Sequence, residues 1–213
     1  MDRAVTLAPP PLRLNQVFLV GRLENLAHHQ RAKPVRLTAR LVLRRPASER
    51  RDAVHLLAFG ALAAALSAVP AGSLVRVVGH LRTSPNGPLG RSLSEVLVRE
   101  FEDLKAPCGV ELSLNQVHLA ARLISVERRE PAAGRPASAR LRLLTSTPQG
   151  GGRTNRPDVH EAFCVGVLAD VLGGGETGDL IEVAGQLRAR DSSAGGPEVS
   201  DTYLLVLWAS NLE

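Results

Sequence analysis

Residues 35–44 alternate apolar and polar side chains almost without exception. Val35, Leu37, Ala39, Leu41 and Leu43 fall on one face, and Arg36, Thr38, Arg40, Val42 and Arg44 on the other. A period of two over ten residues predicts a half-buried strand whose outward face carries three arginines. A strand over 17–26 precedes it, and a third over 54–59 follows the break at Arg45-Pro46-Ala47-Ser48. Gly60 then opens a short helix over 61–68, which Pro70 stops. Strands over 73–81 and 92–101 complete the series, joined by the Pro-, Gly- and Asn-rich loop 83–90. The predicted order is β-β-β-α-β-β.

That order occurs twice. The second pass reads as strands over 117–126, 139–145 and 159–165, a helix over 167–172, and strands over 180–190 and 202–208. The tetrad Leu14-Asn15-Gln16-Val17 returns as Leu114-Asn115-Gln116-Val117, and residues 72–82 (Gly-Ser-Leu-Val-Arg-Val-Val-Gly-His-Leu-Arg) answer to 178–188, displaced by 106 positions rather than 100. An offset that grows across a loop while the strands stay matched marks two copies of one fold, not a short-period solenoid. The expected organisation is an N-terminal extension (1–13), a first barrel (14–105), a linker (106–113) and a second barrel (114–213). The glycine-rich stretches 147–155 and 192–197 suggest longer, flexible connections in the second copy.

Composition supports two small globular cores, each about one hundred residues. Of the 213 residues 44% are hydrophobic. No apolar run reaches the roughly 20 residues of a membrane span, and the N-terminus lacks a signal-peptide core. A cytoplasmic protein without membrane contact is expected. The net charge of +5 is unevenly placed: 16 basic and 8 acidic residues precede Cys108 and 10 and 13 follow it, so the first copy is +8 and the second −3. A basic module favours a polyanionic partner.

Five strands with a helix between the third and fourth is the layout of the OB-fold, a five-stranded Greek-key barrel whose face on strands two and three binds oligonucleotides. Local wording narrows the expectation. The segments 14–23 (Leu-Asn-Gln-Val-Phe-Leu-Val-Gly-Arg-Leu), 55–63 (His-Leu-Leu-Ala-Phe-Gly-Ala-Leu-Ala) and 72–83 resemble the opening strand, the third strand with its helix start, and the fourth strand of bacterial single-stranded DNA-binding proteins. The resemblance implies an all-β tandem OB-fold protein of the smaller group that carries two barrels per chain and assembles as a homodimer. It also implies single-stranded DNA as ligand, replication, recombination or repair as setting, replication or repair proteins as partners, and no cofactor.

The chain departs from that family in its aromatics. The family places tryptophans where this chain has 41–44, 53–54 and 83–84, none of them aromatic. Phe59 alone matches a stacking position. In the second copy that position falls at Cys164 or Val165, with Phe163 one residue off and so expected on the opposite face. Tyr203 and Trp208, five apart in the last strand, are expected on opposite faces, with at least one packed in the barrel or at an interface. The family's acidic tail is not seen before Asn211-Leu212-Glu213, which favours a second reading: a degenerate, primosome-type protein-interaction module that binds DNA weakly. RNA is a third alternative, since OB-folds serve both polymers.

The candidate binding residues are therefore Arg36, Arg40 and Arg44, extended by Arg22, Arg76 and Arg82, with Phe59 as a stacking residue and Arg140 in the second copy. Arg140 and Arg142 are not expected to share one face. No chemistry beyond binding is legible. The six histidines and two cysteines show no metal-ligand spacing, and the glycine runs 150–152 and 173–175 lack the lysine and hydroxyl of a phosphate-binding loop. No nucleophile and base are paired, so no enzyme is predicted.

Overall fold

A computed structural model describes residues 14–29, 35–45, 48–84, 93–106, 112–147, 156–189 and 202–212. The N-terminal extension, most of the linker with Cys108, most of loop 83–90, and nearly all of the glycine-rich stretches lie outside these residues. The first copy contains β1 (Asn15–His29), β2 (Arg36–Arg44), β3 (Arg51–Phe59), α1 (Gly60–Ser67), β4 (Leu74–Ser84) and β5 (Leu93–Asp103). The second contains β6 (Leu114–Arg129), β7 (Ser138–Thr147), β8 (Arg156–Val165), α2 (Val167–Gly173), β9 (Leu180–Ala189) and β10 (Thr202–Asn211). Every expected element is present. The main difference is length: β4 continues through Thr83 and Ser84, which the loop composition had assigned to the turn.

The strands follow one another as β2-β3-β5-β4-β1-β6-β7-β8-β10-β9, and β1 also pairs with β2 while β6 also pairs with β9. The additional pairings close each set of five strands into a barrel. Inside the first, Leu37, Ala39, Leu41 and Leu43 of β2 pack among Val17, Leu19 and Leu23 of β1, as the alternation predicts. Gly60 (φ 58°) and Gly166 (φ 62°) make the turn from third strand to helix in the two barrels. Both adopt a left-handed conformation that favours glycine.

A shared irregularity explains another repeated glycine. β5 bulges at Arg99, opposite Val78 and Gly79, and β10 bulges at Leu207, opposite Ala184 and Gly185. A β-carbon on Gly79 or Gly185 would strike the backbone carbonyl of Leu97 or Leu205, so the pairing requires glycine in both copies.

The barrels join through β1 and β6, which pair antiparallel over Asn15–Val20 and Leu114–Leu119. Val17 lies opposite Val117, its own counterpart in the duplication, so the seam has an approximate two-fold axis at that pair. β1 also pairs with β4 from Val17↔Gly79 to Arg22↔Leu74. Beyond Val17 the Asn15 side chain continues that ladder: Nδ2 donates to the Leu81 carbonyl at 2.8 Å and Oδ1 accepts from the Leu81 amide at 2.8 Å. Asn115 makes the same two bonds to Leu187, at 2.7 and 2.9 Å. In each copy the asparagine amide mimics a peptide, which leaves its own backbone for the seam.

Two buried aspartates add a second, dyad-related set of ties. Asp52 on β3, 1% exposed, accepts from the Ala189 amide at 2.8 Å and from Arg188 Nη1 at 3.0 Å, both in the second barrel. Arg45 Nε and Nη2 also donate to Asp52, at 2.9 and 2.6 Å. Its counterpart Asp158 on β8 accepts from the amide and hydroxyl of Thr83 in the first barrel, at 2.9 and 3.1 Å. Bidentate arginine and amide donors compensate the burial of a carboxylate charge.

Two outcomes are expected. Asn15→Leu or Asn115→Leu leaves one buried amide and one buried carbonyl unsatisfied, and should lower the urea-unfolding free energy by about 2–4 kcal/mol. His160 is fully buried, with Nε2 2.8 Å from Thr145 Oγ1, and burial lowers its pKa to about 4 despite the opposing charge of Asp158. A folded-state value below the unfolded value of about 6.5 means the unfolded chain binds the extra proton. Stability should therefore be complete above pH 6.5 and fall by roughly 3 kcal/mol as pH drops towards 4. Melting measured between pH 7 and 5 should lose this component in His160→Val, the residue that Val54 supplies at the matching place in the first barrel.

Candidate functional site

The outward face of β2 carries Arg36 and Arg40, half-buried, and Arg44, exposed. At about 3.3 Å per residue the stripe from 36 to 44 is roughly 26 Å long. Along its β3 side Arg36 lies opposite Phe59, Arg40 opposite His55, and Arg44 opposite Arg51. On its β1 side Glu24 lies opposite Arg40, and Arg22 opposite Val42. Burial lowers the pKa of His55 and the Arg40 charge lowers it further, so His55 is neutral at pH 7. The buried Nε of Arg36 has no hydrogen-bond partner. The face is cationic, partly desolvated, and edged by the one family-matched aromatic, Phe59, itself half-buried at the helix start.

The remaining sequence-predicted arginines are placed differently. Arg22 lies on the same face, but its Nη1 donates to the Gly72 carbonyl at 2.7 Å, and Arg122 makes the matching bond to Gly178 at 2.5 Å. This repetition identifies a clasp on the turn before the fourth strand of each barrel. Arg76 is ion-paired with Glu100 and Glu102 on β5, each at 3.0 Å, and Arg82 with Glu95 at 3.1 Å. Both stand on β4, which β1 separates from β2 on one side and β3 with β5 on the other. The structure thus does not bring Arg76 and Arg82 to the stripe.

Three expectations for the second barrel need correction. Arg140 and Arg142 do share a face: residues two apart in a regular strand point the same way, and both are exposed on β7 while 139, 141 and 143 are buried. Register places Ser138 and Ser146 where the first barrel has Arg36 and Arg44, so the stripe is thinned there. Arg140 is ion-paired with Glu161 at 2.6 Å and Glu127 at 3.8 Å.

Phe163 is also outward-facing. The counterpart of Phe59 is Val165, since both end the third strand opposite Arg36 and Ser138 respectively. Phe163 is two residues from that position and so shares its face, whereas Cys164 packs inside the barrel. Finally, Tyr203 and Trp208 both lie outside the barrel. The bulge at Leu207 resets the alternation that their spacing assumed, and Trp208 is 48% exposed. Tyr203 meets Phe163 edge to face, with centroids 6.3 Å apart at 83°.

These shifts reveal a feature that sequence spacing missed. A cleft of about 420 Å³ opens between the barrels, lined by Arg45 and Arg50 beyond the end of β2 and by Arg129, Arg140, Phe163 and Tyr203 of the second barrel. Its residues span positions 45 to 203, so only the seam brings them together. Among the described residues no cluster of three or more His, Cys, Asp or Glu could hold a metal ion, and no helix is long and apolar enough to cross a membrane.

No protein-family model matches the chain, and no curated protein sequence matches it. Solved structures do. The wild-type single-stranded DNA binding protein from Thermus aquaticus superposes with a TM-score of 0.70 at 21% identity, covering 94% of this chain and 93% of that one. A deletion mutant of the same protein gives 0.70 at 20% identity, covering 94% and 95%. A Plasmodium falciparum SSB, solved in complex with ssDNA, covers 49% of this chain and 99% of its own, with a TM-score of 0.42 at 18% identity. The two-barrel architecture that the strand motifs led us to expect is therefore the fold of the Thermus aquaticus protein across nearly the whole chain.

Proposed function

We propose that this chain is a single-stranded DNA-binding protein with two OB-folds, acting in DNA replication, recombination or repair. The observation that carries this reading is the arginine face of β2. It is a phosphate track of about 26 Å on the strand where OB-folds carry oligonucleotides, in a chain whose fold is that of a single-stranded DNA-binding protein. Guanidinium groups spaced along a strand neutralise successive phosphates without reading sequence. Serines at two of the three stripe positions of the second barrel support giving the larger share of backbone contact to residues 14–105.

The same reading makes the protein a cytoplasmic homodimer that presents four barrels, with binding rather than catalysis as its activity. The bounds proposed are a first barrel at 14–105, a linker at 106–113 and a second barrel at 114–213.

Fluorescence anisotropy with a labelled oligo-dT about 35 nucleotides long tests the assignment. Wild type should bind below the micromolar range, and Arg36→Ala/Arg40→Ala/Arg44→Ala should weaken binding at least tenfold while leaving the melting temperature near that of wild type. Arg76→Ala, whose guanidinium is already balanced by two glutamates, should change affinity by no more than about twofold. Wild-type affinity equal to that of the triple variant would refute the track.

A further inference from the structure

The β2 stripe does not end in solvent. Beyond Arg44 the chain turns at Arg45, whose amide donates to the Arg50 carbonyl at 3.1 Å, and returns as β3 from Arg51. Arg45 and Arg50 at that turn form the first-barrel wall of the inter-barrel cleft. A strand following Arg36, Arg40 and Arg44 is therefore delivered to the cleft mouth. The opposite wall holds the Phe163–Tyr203 pair, the one ring–ring contact among the described residues.

We infer that this cleft is a nucleotide subsite of the second barrel, where one unpaired base stacks on the Phe163–Tyr203 pair and the adjoining phosphates meet Arg50 and Arg129. The inference rests on the proposed single-strand binding and extends the path of the strand from one barrel to the other.

Size and charge both suit the occupant. A volume of about 420 Å³ lies within the usual range for small-ligand sites. The lining sets four arginines, Arg45, Arg50, Arg129 and Arg140, against two glutamates, Glu127 and Glu161, and is net positive. Arg50 contributes to this lining from the first barrel and Arg129 from the second. A half-buried edge-to-face pair presents a fixed aromatic surface, on which base stacking is tolerant of sequence.

The duplication provides an internal control. Register places Leu57, fully buried, where the second barrel has Phe163, and Glu95 where it has Tyr203. The aromatic pair is thus not a by-product of the barrel. It belongs to the copy that lacks two of the stripe arginines, and stacking there substitutes for charge.

The test uses the full chain and the same oligo-dT of about 35 nucleotides. Binding is compared for wild type, Phe163→Leu, Arg129→Ala and the β2 triple variant, and wild type is photo-cross-linked to an oligonucleotide carrying 5-iododeoxyuridine. Phe163→Leu should weaken binding about 5- to 150-fold, the range of one lost stack. Arg129→Ala should weaken it by a smaller factor, and cross-linked peptides should include Phe163 or Tyr203. If the triple variant weakens binding while Phe163→Leu stays within twofold of wild type and cross-links map only to the first barrel, the subsite is overturned and the β2 track stands. If wild type does not bind the oligonucleotide, both readings fall. Should Phe163→Leu fail to fold, the cross-link map decides alone: its absence from Phe163 and Tyr203 overturns the subsite.

Discussion

The two asparagines at the start of β1 and β6 are the constraint on which the two-barrel unit depends. At Asn15 the backbone must serve the seam with β6, yet β4 extends beyond Val17↔Gly79 and its Leu81 amide and carbonyl need partners. The side-chain amide provides both a donor and an acceptor in nearly peptide geometry, so one residue completes two ladders. Asn115 does the same across the pseudo-two-fold axis. A valine or leucine there would propagate the strand pattern but would leave buried backbone groups unpaired in one ladder. The repeated tetrad is thus the signature of a seam.

Because β1 and β6 belong simultaneously to a barrel and to the seam, and Asp52 and Asp158 tie β3 to β9 and β8 to β4, the barrels are held in one orientation. That orientation sets the β2–β3 turn of the first barrel against the β7, β8 and β10 face of the second and creates the cleft. Within this frame the copies have diverged in complementary directions. The first carries three arginines on its second strand, and the second exchanges two of these for serine and gains an aromatic pair. In its interior the second barrel also replaces an apolar pair, Leu43 and Val54, by Thr145 and His160, which puts a titratable imidazole where the first barrel is aliphatic.

Much of this was legible in the chain. Alternation located β2 and its arginine face residue by residue, and internal repetition located the two barrels, because strand parity and duplicated motifs are local properties. What escaped was of two kinds. Strand parity does not carry through from Tyr203 to Trp208, because the Leu207 bulge between them depends on a glycine in the neighbouring strand rather than on the last strand itself. The roles of Arg22, Arg76 and Arg82 depended on partners 13 to 50 positions away in the sequence, a turn carbonyl and β5 glutamates, which spacing along one strand cannot reveal. The cleft needed the orientation of two barrels, which no single-strand pattern encodes.

The most direct test of the account is the salt dependence of wild-type binding to oligo-dT. Each phosphate contact on a single strand contributes a slope of about −0.7 in log K against log salt concentration. A track built on three β2 arginines with further cations at the cleft predicts a slope of at least about −2 by that relation. A slope near zero with intact affinity would contradict it, because binding would then owe nothing to the arginine face.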